Sequence, residues 1–176
     1  TFIYDCIKAK RRIINKFGPT VFLDSDMLIL ESVNEFYNIQ DYDFSITTRP
    51  KNYNQFVFTP NKLHKQKFPE IIGRKVGDVM PYNAGIFYCK NVETLEYMLT
   101  SYNAMNKNYH EWYGDQIALK EMVDVNMFKI KFFDGNIYNY TPESVSEDFS
   151  DKKALHFKGN KKDYFDPIYD RLFNNV

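Results

Sequence analysis

Cysteine is scarce in this chain, and net charge is absent. Only Cys6 and Cys89 occur, far apart and without paired spacing. That excludes a disulfide framework and a thiolate zinc site, and it fits reduced core thiols in a cytoplasmic protein. The 23 Lys and Arg residues are cancelled by 23 Asp and Glu residues, so the basic footprint of a nucleic-acid binder is missing and any polyanion contact has to be local. No run approaches the roughly 18 apolar residues that a spanning helix needs, and no signal peptide opens the chain, so no transmembrane segment is expected. What is abundant is aromatic: 16 Phe and 14 Tyr in 176 residues, which suits both a core and surfaces that stack on sugar rings. The length is that of one domain, expected to run over 1–176.

The most informative stretch is Val21 to Ile29, Val-Phe-Leu-Asp-Ser-Asp-Met-Leu-Ile. A short apolar run reads as a buried strand and ends in two carboxylates, which buried strands rarely carry without a reason. In extended backbone residues i and i+2 share a side, so Asp24 and Asp26 are expected to converge on one cation while Ser25 faces away. Oxygen ligands select hard ions such as Mg²⁺ or Mn²⁺, which keep positions open for water and phosphate. Taken alone, an Asp-x-Asp does no more than cap a turn.

Apolar spacing predicts a helix from about Phe2 to Phe17, stopped by Gly18-Pro19. Its basic cluster Lys8, Lys10, Arg11 and Arg12 is a solvated face from which Lys8 could reach a diphosphate at the end of the next strand. A short helix is expected over Glu31 to Ile39 and a strand over Phe44 to Thr48. From Arg49 to Tyr82 the chain is polar and irregular, as in a loop that covers a site or shapes an acceptor pocket. In Tyr82 to Cys89 a small turn-like triplet, Asn83-Ala84-Gly85, feeds an apolar strand; Gly85 allows a close approach by another backbone or a ligand, with Asn83 placed beside a sugar hydroxyl. A helix follows from Val92 to Met105, with Leu95, Met98, Leu99 and Tyr102 facing the core. Trp112-Tyr113-Gly-Asp115-Gln116 opens another, where aromatic rings beside a carboxylate and an amide suit sugar binding. Met127 to Phe133 alternates like a half-exposed strand. Ala154-Leu-His156-Phe-Lys-Gly159-Asn-Lys-Lys162 is a strand breaking into a basic turn, ahead of an aromatic helix from Tyr164 to Phe173. There His156 offers a nitrogen ligand next to a glycine and to cations for a leaving group.

Asp-Ser-Asp, Asn-Ala-Gly, Asp-Gln and His-Phe-Lys-Gly-Asn-Lys-Lys, in that order, resemble the motifs of glycosyltransferase family 8, the glycogenin and lipopolysaccharide galactosyltransferase type. The resemblance implies an α/β GT-A nucleotide-diphospho-sugar fold, a mixed central sheet flanked by helices. It implies that Asp24, Asp26 and His156 bind Mn²⁺ or Mg²⁺, with Ser25 between the carboxylates, and that the metal holds a UDP-sugar. Lys8, sixteen residues before Asp24, matches a basic donor contact. Gly159 and Lys162 would bind the diphosphate, with Lys162 stabilising departing UDP, while Asn83, Gly85, Asp115 and Gln116 would stand at the donor sugar and the reaction centre. The implied activity is metal-dependent transfer of a hexose to a hydroxyl of a carbohydrate, lipid-linked or protein acceptor, with retention. Two departures stand out. Only 23 residues precede Asp24 where the family has a βαβ segment for the base, so an excerpt lacking that segment is expected; and Arg49-Pro50 stand where the family has an acidic residue. Two other readings compete: a catalytically inactive relative that binds sugars or partners, and a nucleotidyltransferase, which would need a Gly-rich phosphate loop that is not seen here.

Overall fold

The computed structural model describes residues 2–51, 55–59, 68–110 and 113–174. Helix α1 (Phe2–Phe17) buries Ile7 and Ile14 and exposes Arg12 and Lys16. Gly18, in the left-handed region at φ 76°, ends it, its N–H returning to the Ile14 carbonyl at 2.8 Å. The chain then enters strand β1 (Thr20–Leu23) and, after a three-residue turn, strand β2 (Met27–Ile29). Strand β3 (Phe44–Thr48) has the bounds expected from sequence, strand β4 (Tyr82–Cys89) takes in the triplet expected as a turn, and both are buried almost throughout. Strand β5 (Ile130–Phe133) is shorter than the alternating stretch from Met127, and β6 (Ala154–His156) closes the set.

These strands form two sheets. The larger is mixed, in the order β1-β4-β3-β5, antiparallel except for the parallel pair β3 and β5; the smaller is the antiparallel pair β2 and β6. Helices α1, α3 (Val92–Ala104) and α4 (Gly114–Asp124) cover one face of the larger sheet, over a core of Phe22, Phe44, Phe87, Leu95, Met98 and Leu119. The opposite face packs Ile86, Tyr88 and Phe133 against Phe36 and Ile39. Helix α6 (Phe165–Tyr169), flanked by a 3-10 segment (Gly159–Tyr164) and a π turn (Asp170–Asn174), packs Ile168 on Leu28, Leu155 and Phe157 of the small sheet.

Three expectations are corrected. The stretch Glu31 to Ile39 is not a helix but one 3-10 turn, Asn34–Phe36, because its anchor is the single fully buried ring of Phe36, stacked on Phe133 at 4.0 Å. Asp24, Ser25 and Asp26 are not strand residues; they form the turn between β1 and β2. The long polar stretch after Arg49 is partly ordered by its own core: Phe58, Phe68, Ile71, Val76, Val79 and Met80, the last three in or beside helix α2 (Val76–Val79), pack on Tyr109, Tyr113 and Ile117. Its lysines at 62, 65 and 67 lie outside the described residues, as does Trp112. No helix among the described residues is long and apolar enough to cross a membrane.

Phe87 ties α1 to the sheet. Its ring lies 5.1 Å from both Phe22 and Phe44, with the Lys10 ammonium 5.0 Å above it. Phe87→Ala is expected to cost about 3–5 kcal/mol in urea unfolding, because the cavity left between two rings cannot collapse; a loss under about 1 kcal/mol would contradict this packing.

Candidate functional site

The turn at residues 24–26 is tied to both sheets. Asp24 N–H donates to the Gly85 carbonyl at 2.8 Å, and Phe157 N–H donates to the Asp26 carbonyl at 2.9 Å. The first continues the antiparallel register of β1 on β4, in which Leu23 lies opposite Ile86. The second follows from the register of the small sheet, where Met27 lies opposite His156. Asp24 therefore arrives with the large sheet, and Asp26 and His156 arrive with the small one.

The three side chains converge. One ligand atom from each of Asp24, Asp26 and His156 lies within 4.8 Å of the others. His156 Nε2 is 3.1 Å from Asp26 Oδ1 and 3.8 Å from Asp24 Oδ2, and Lys162 Nζ is 3.1 Å from Asp26 Oδ2. Two carboxylates and one imidazole make a donor set that a hard divalent cation accepts.

His156 is 5% exposed, and its ring lies over Gly85. A β-carbon on residue 85 would overlap the imidazole, standing 2.7 Å from Cε1 and 3.0 Å from Asn139 Oδ1. The close approach that Gly85 permits is thus to His156 rather than to a ligand. Nδ1 of the ring meets Asn139 Oδ1 at 2.8 Å, and Asn139 also reaches Asn83 and Thr47. Asn83, expected at a sugar hydroxyl, has its Oδ1 engaged inside the protein by Gly85 N–H and Asn139. Asn139 was not legible from sequence: it follows the short helix α5 (Gly135–Tyr138), and only the docking of α5 on β3 through Gly135 N–H to Thr48 Oγ1, 3.1 Å, delivers it here.

A cavity of about 440 Å³ opens on the acidic side of this group, lined by Asp24, Ser25, Asp26, Asp115, Lys10 and Lys162 and continuing between Ile3, Cys6, Leu23 and Met98. Lys10 rather than Lys8 lines it. The two are more than half a helical turn apart in direction, and Lys8 lies over the Tyr4 ring at 5.1 Å. Gly159 is exposed in the left-handed region at φ 58°, with no protein atom within 4 Å of where a β-carbon would stand. Asp115 and Gln116, adjacent in α4, face different cavities. Asp115 faces the acidic one; Gln116 lines a second of about 310 Å³ with Arg49, Asn83, Tyr113 and Phe58. Asp115 Oδ1 accepts from Gln116 N–H at 2.9 Å, and buried Arg49 donates to Gln116 Oε1 at 3.1 Å and to the Met80 carbonyl at 2.7 Å. Arg49 is therefore built into the site's frame.

Electrostatics separate the two carboxylates. Burial, against the pull of Lys10, pushes Asp24 up to about 6. A proton on His156 Nε2, when the ring carries one there, and the Lys162 ammonium hold Asp26 well below the usual carboxylate range. Burial lowers His156, keeping its imidazole neutral near pH 7, and burial with the nearby Arg49 charge brings Lys158 down to about 7.

No protein-family model and no curated protein matches the sequence. Among solved structures, the chain is similar to a glycosyltransferase involved in the glycosylation of the major capsid of PBCV-1, with a TM-score of 0.62 and 12% identity over 93% of this chain and 74% of that one. The chain has a glycosyltransferase fold. A likeness to the galactosyltransferase LgtC in complex with donor and acceptor sugar analogs (TM-score 0.48, 13% identity, 94% of this chain and 66% of that one) is too distant to add to this. At such identities the likeness concerns the glycosyltransferase fold and not the substrates.

A cation held by these groups would bind with a defined pH dependence. A metal requires ionised carboxylates, and Asp26 stays ionised, so the group that takes a proton as pH falls through about 6 is Asp24. Calorimetric titration with Mn²⁺ is expected to give a constant affinity above about pH 7 and a loss of about tenfold per unit below about 6. Affinity that stays level down to about pH 5 would contradict the assignment.

Proposed function

We propose that this chain is the catalytic core of a metal-dependent glycosyltransferase of the family 8 type, moving a hexose from a UDP-sugar to a hydroxyl acceptor with retention. The observation that carries the reading is the meeting of Asp24, Asp26 and His156 at the mouth of a cavity that also holds Lys10 and Lys162, on a glycosyltransferase fold. Asp24, Asp26 and His156 would hold Mn²⁺ or Mg²⁺, which supplies a Lewis acid for a diphosphate.

The chain's own residues do the rest. Lys162 is 63% exposed and its ammonium meets Asp26, so it can turn to a diphosphate and neutralise charge on the leaving group. Lys10 lines the same cavity. Gly159, with open space above it, admits phosphate oxygens close to the backbone. Asp115 has its carboxylate oriented by the backbone and side-chain amides of Gln116, which suits it to accept from donor-sugar hydroxyls more than to attack. Transfer is then same-face. The bond from the anomeric carbon to the β-phosphate oxygen breaks, the acceptor oxygen bonds to that carbon, and the acceptor proton passes to the departing phosphate.

A panel of UDP-sugars assayed with Mn²⁺ and with EDTA tests the proposal. One donor is expected to turn over, only with metal, and Asp26→Asn is expected to lower the rate about a hundredfold or more while the circular dichroism spectrum is unchanged. Turnover that survives EDTA or Asp26→Asn would sink the metal assignment.

A further inference from the structure

Behind His156 stand three buried polar side chains, Thr47, Asn83 and Asn139, at 0%, 5% and 0% exposure. Their hydrogen bonds run in one direction, and the direction starts at backbone groups, whose polarity is fixed. Gly85 N–H donates to the terminal atom of Asn83 at 2.8 Å, so that atom is the acceptor Oδ1. One terminal atom of Asn139 reaches this Oδ1 at 2.6 Å and Thr47 Oγ1 at 2.7 Å. The Thr47 hydroxyl proton is committed to the Asn83 carbonyl at 2.9 Å, which leaves its oxygen to accept. Facing two acceptors, that atom of Asn139 is the donor Nδ2. The remaining atom, Oδ1, faces His156 Nδ1 at 2.8 Å. An amide oxygen only accepts, so Nδ1 carries the imidazole proton.

We infer that Asn139, polarised by Asn83, Thr47 and the backbone of β4, is a positioning residue that fixes His156 as its Nδ1–H tautomer. In that tautomer Nε2 is a bare electron pair, and it points at Asp26 Oδ1 and Asp24 Oδ2, 3.1 and 3.8 Å away. Three acceptors then face one point with no proton among them, an arrangement relieved by a cation. An imidazole left to itself would place its proton on Nε2 and donate to Asp26, closing the site. The relay therefore makes a ligand of a histidine that its surroundings would otherwise use as a donor. The consequence for metal binding rests on the metal reading above; the tautomer does not, since it is a property of the metal-free protein.

Nitrogen NMR of the metal-free protein at about pH 8 tests this directly, with the His156 signals assigned by their loss in His156→Gln. The expected spectrum has a protonated, pyrrole-type Nδ1 and an unprotonated, pyridine-type Nε2. Asn139→Leu is expected to move the proton to Nε2 and to weaken Mn²⁺ binding about 10–100-fold, whereas Asn139→Asp, which keeps the acceptor, leaves the proton on Nδ1. An Nε2–H tautomer in the wild-type protein, or an unchanged tautomer in folded Asn139→Leu, overturns the inference. Should Asn139→Leu fail to fold, the wild-type spectrum still decides. An Nδ1–H tautomer in a protein that binds no Mn²⁺ supports the relay and refutes the metal reading.

Discussion

Two backbone hydrogen bonds, Asp24 N–H to the Gly85 carbonyl and Phe157 N–H to the Asp26 carbonyl, fasten a three-residue turn between two sheets that otherwise share no ladder. Everything functional in the molecule depends on that seam. A carboxylate on the large sheet and an imidazole on the small one meet only if the sheets are held at a fixed spacing. That spacing requires residue 85 to have no side chain, because the His156 ring occupies the volume a β-carbon would take. The register of β1 on β4, with Leu23 opposite Ile86, brings the Gly85 carbonyl to the turn.

The charges are arranged around this seam with opposite consequences on its two sides. Toward the cavity, Lys10 and Lys162 face Asp24, Asp26 and Asp115, and the ionised groups there are available to a charged ligand. Behind the seam the groups are buried and neutral, and they satisfy one another through Asn139, Asn83 and Thr47. A half-satisfied network at such depth would cost more than an apolar filling. Full pairing is what lets this core keep polar residues, and it converts the polarity of a strand's backbone into the protonation of one imidazole.

Much of this was legible in the sequence, for physical reasons that vary from element to element. Strand β3 stood out by its β-branched content and the second half of β4 by its apolar run Ile86-Phe87-Tyr88-Cys89. Helix α1 stood out by its period and its Gly18-Pro19 stop. Asp24, Asp26 and His156 were nameable from residue type and flanking sequence, yet the reason given for their convergence, side-chain alternation along a strand, was not the operative one; a turn between sheets brings them together. Lys8 was the one named from sequence while Lys10 lines the cavity, because the direction of each on α1 is set by how the helix sits on Phe87, a tertiary fact. Asn139 and Arg49 were invisible for the same reason, since each acts only through a partner distant in the chain, His156 in one case and Gln116 in the other.

The central claim is that His156 and both carboxylates hold one metal ion. Pulsed electron paramagnetic resonance of the Mn²⁺-loaded protein tests it most directly, because it detects magnetic nuclei bonded to the ion. The account predicts modulation from a single imidazole nitrogen, lost in His156→Gln, with one Mn²⁺ bound per chain. Bound Mn²⁺ showing no nitrogen coupling, or a coupling that persists in His156→Gln, would contradict it.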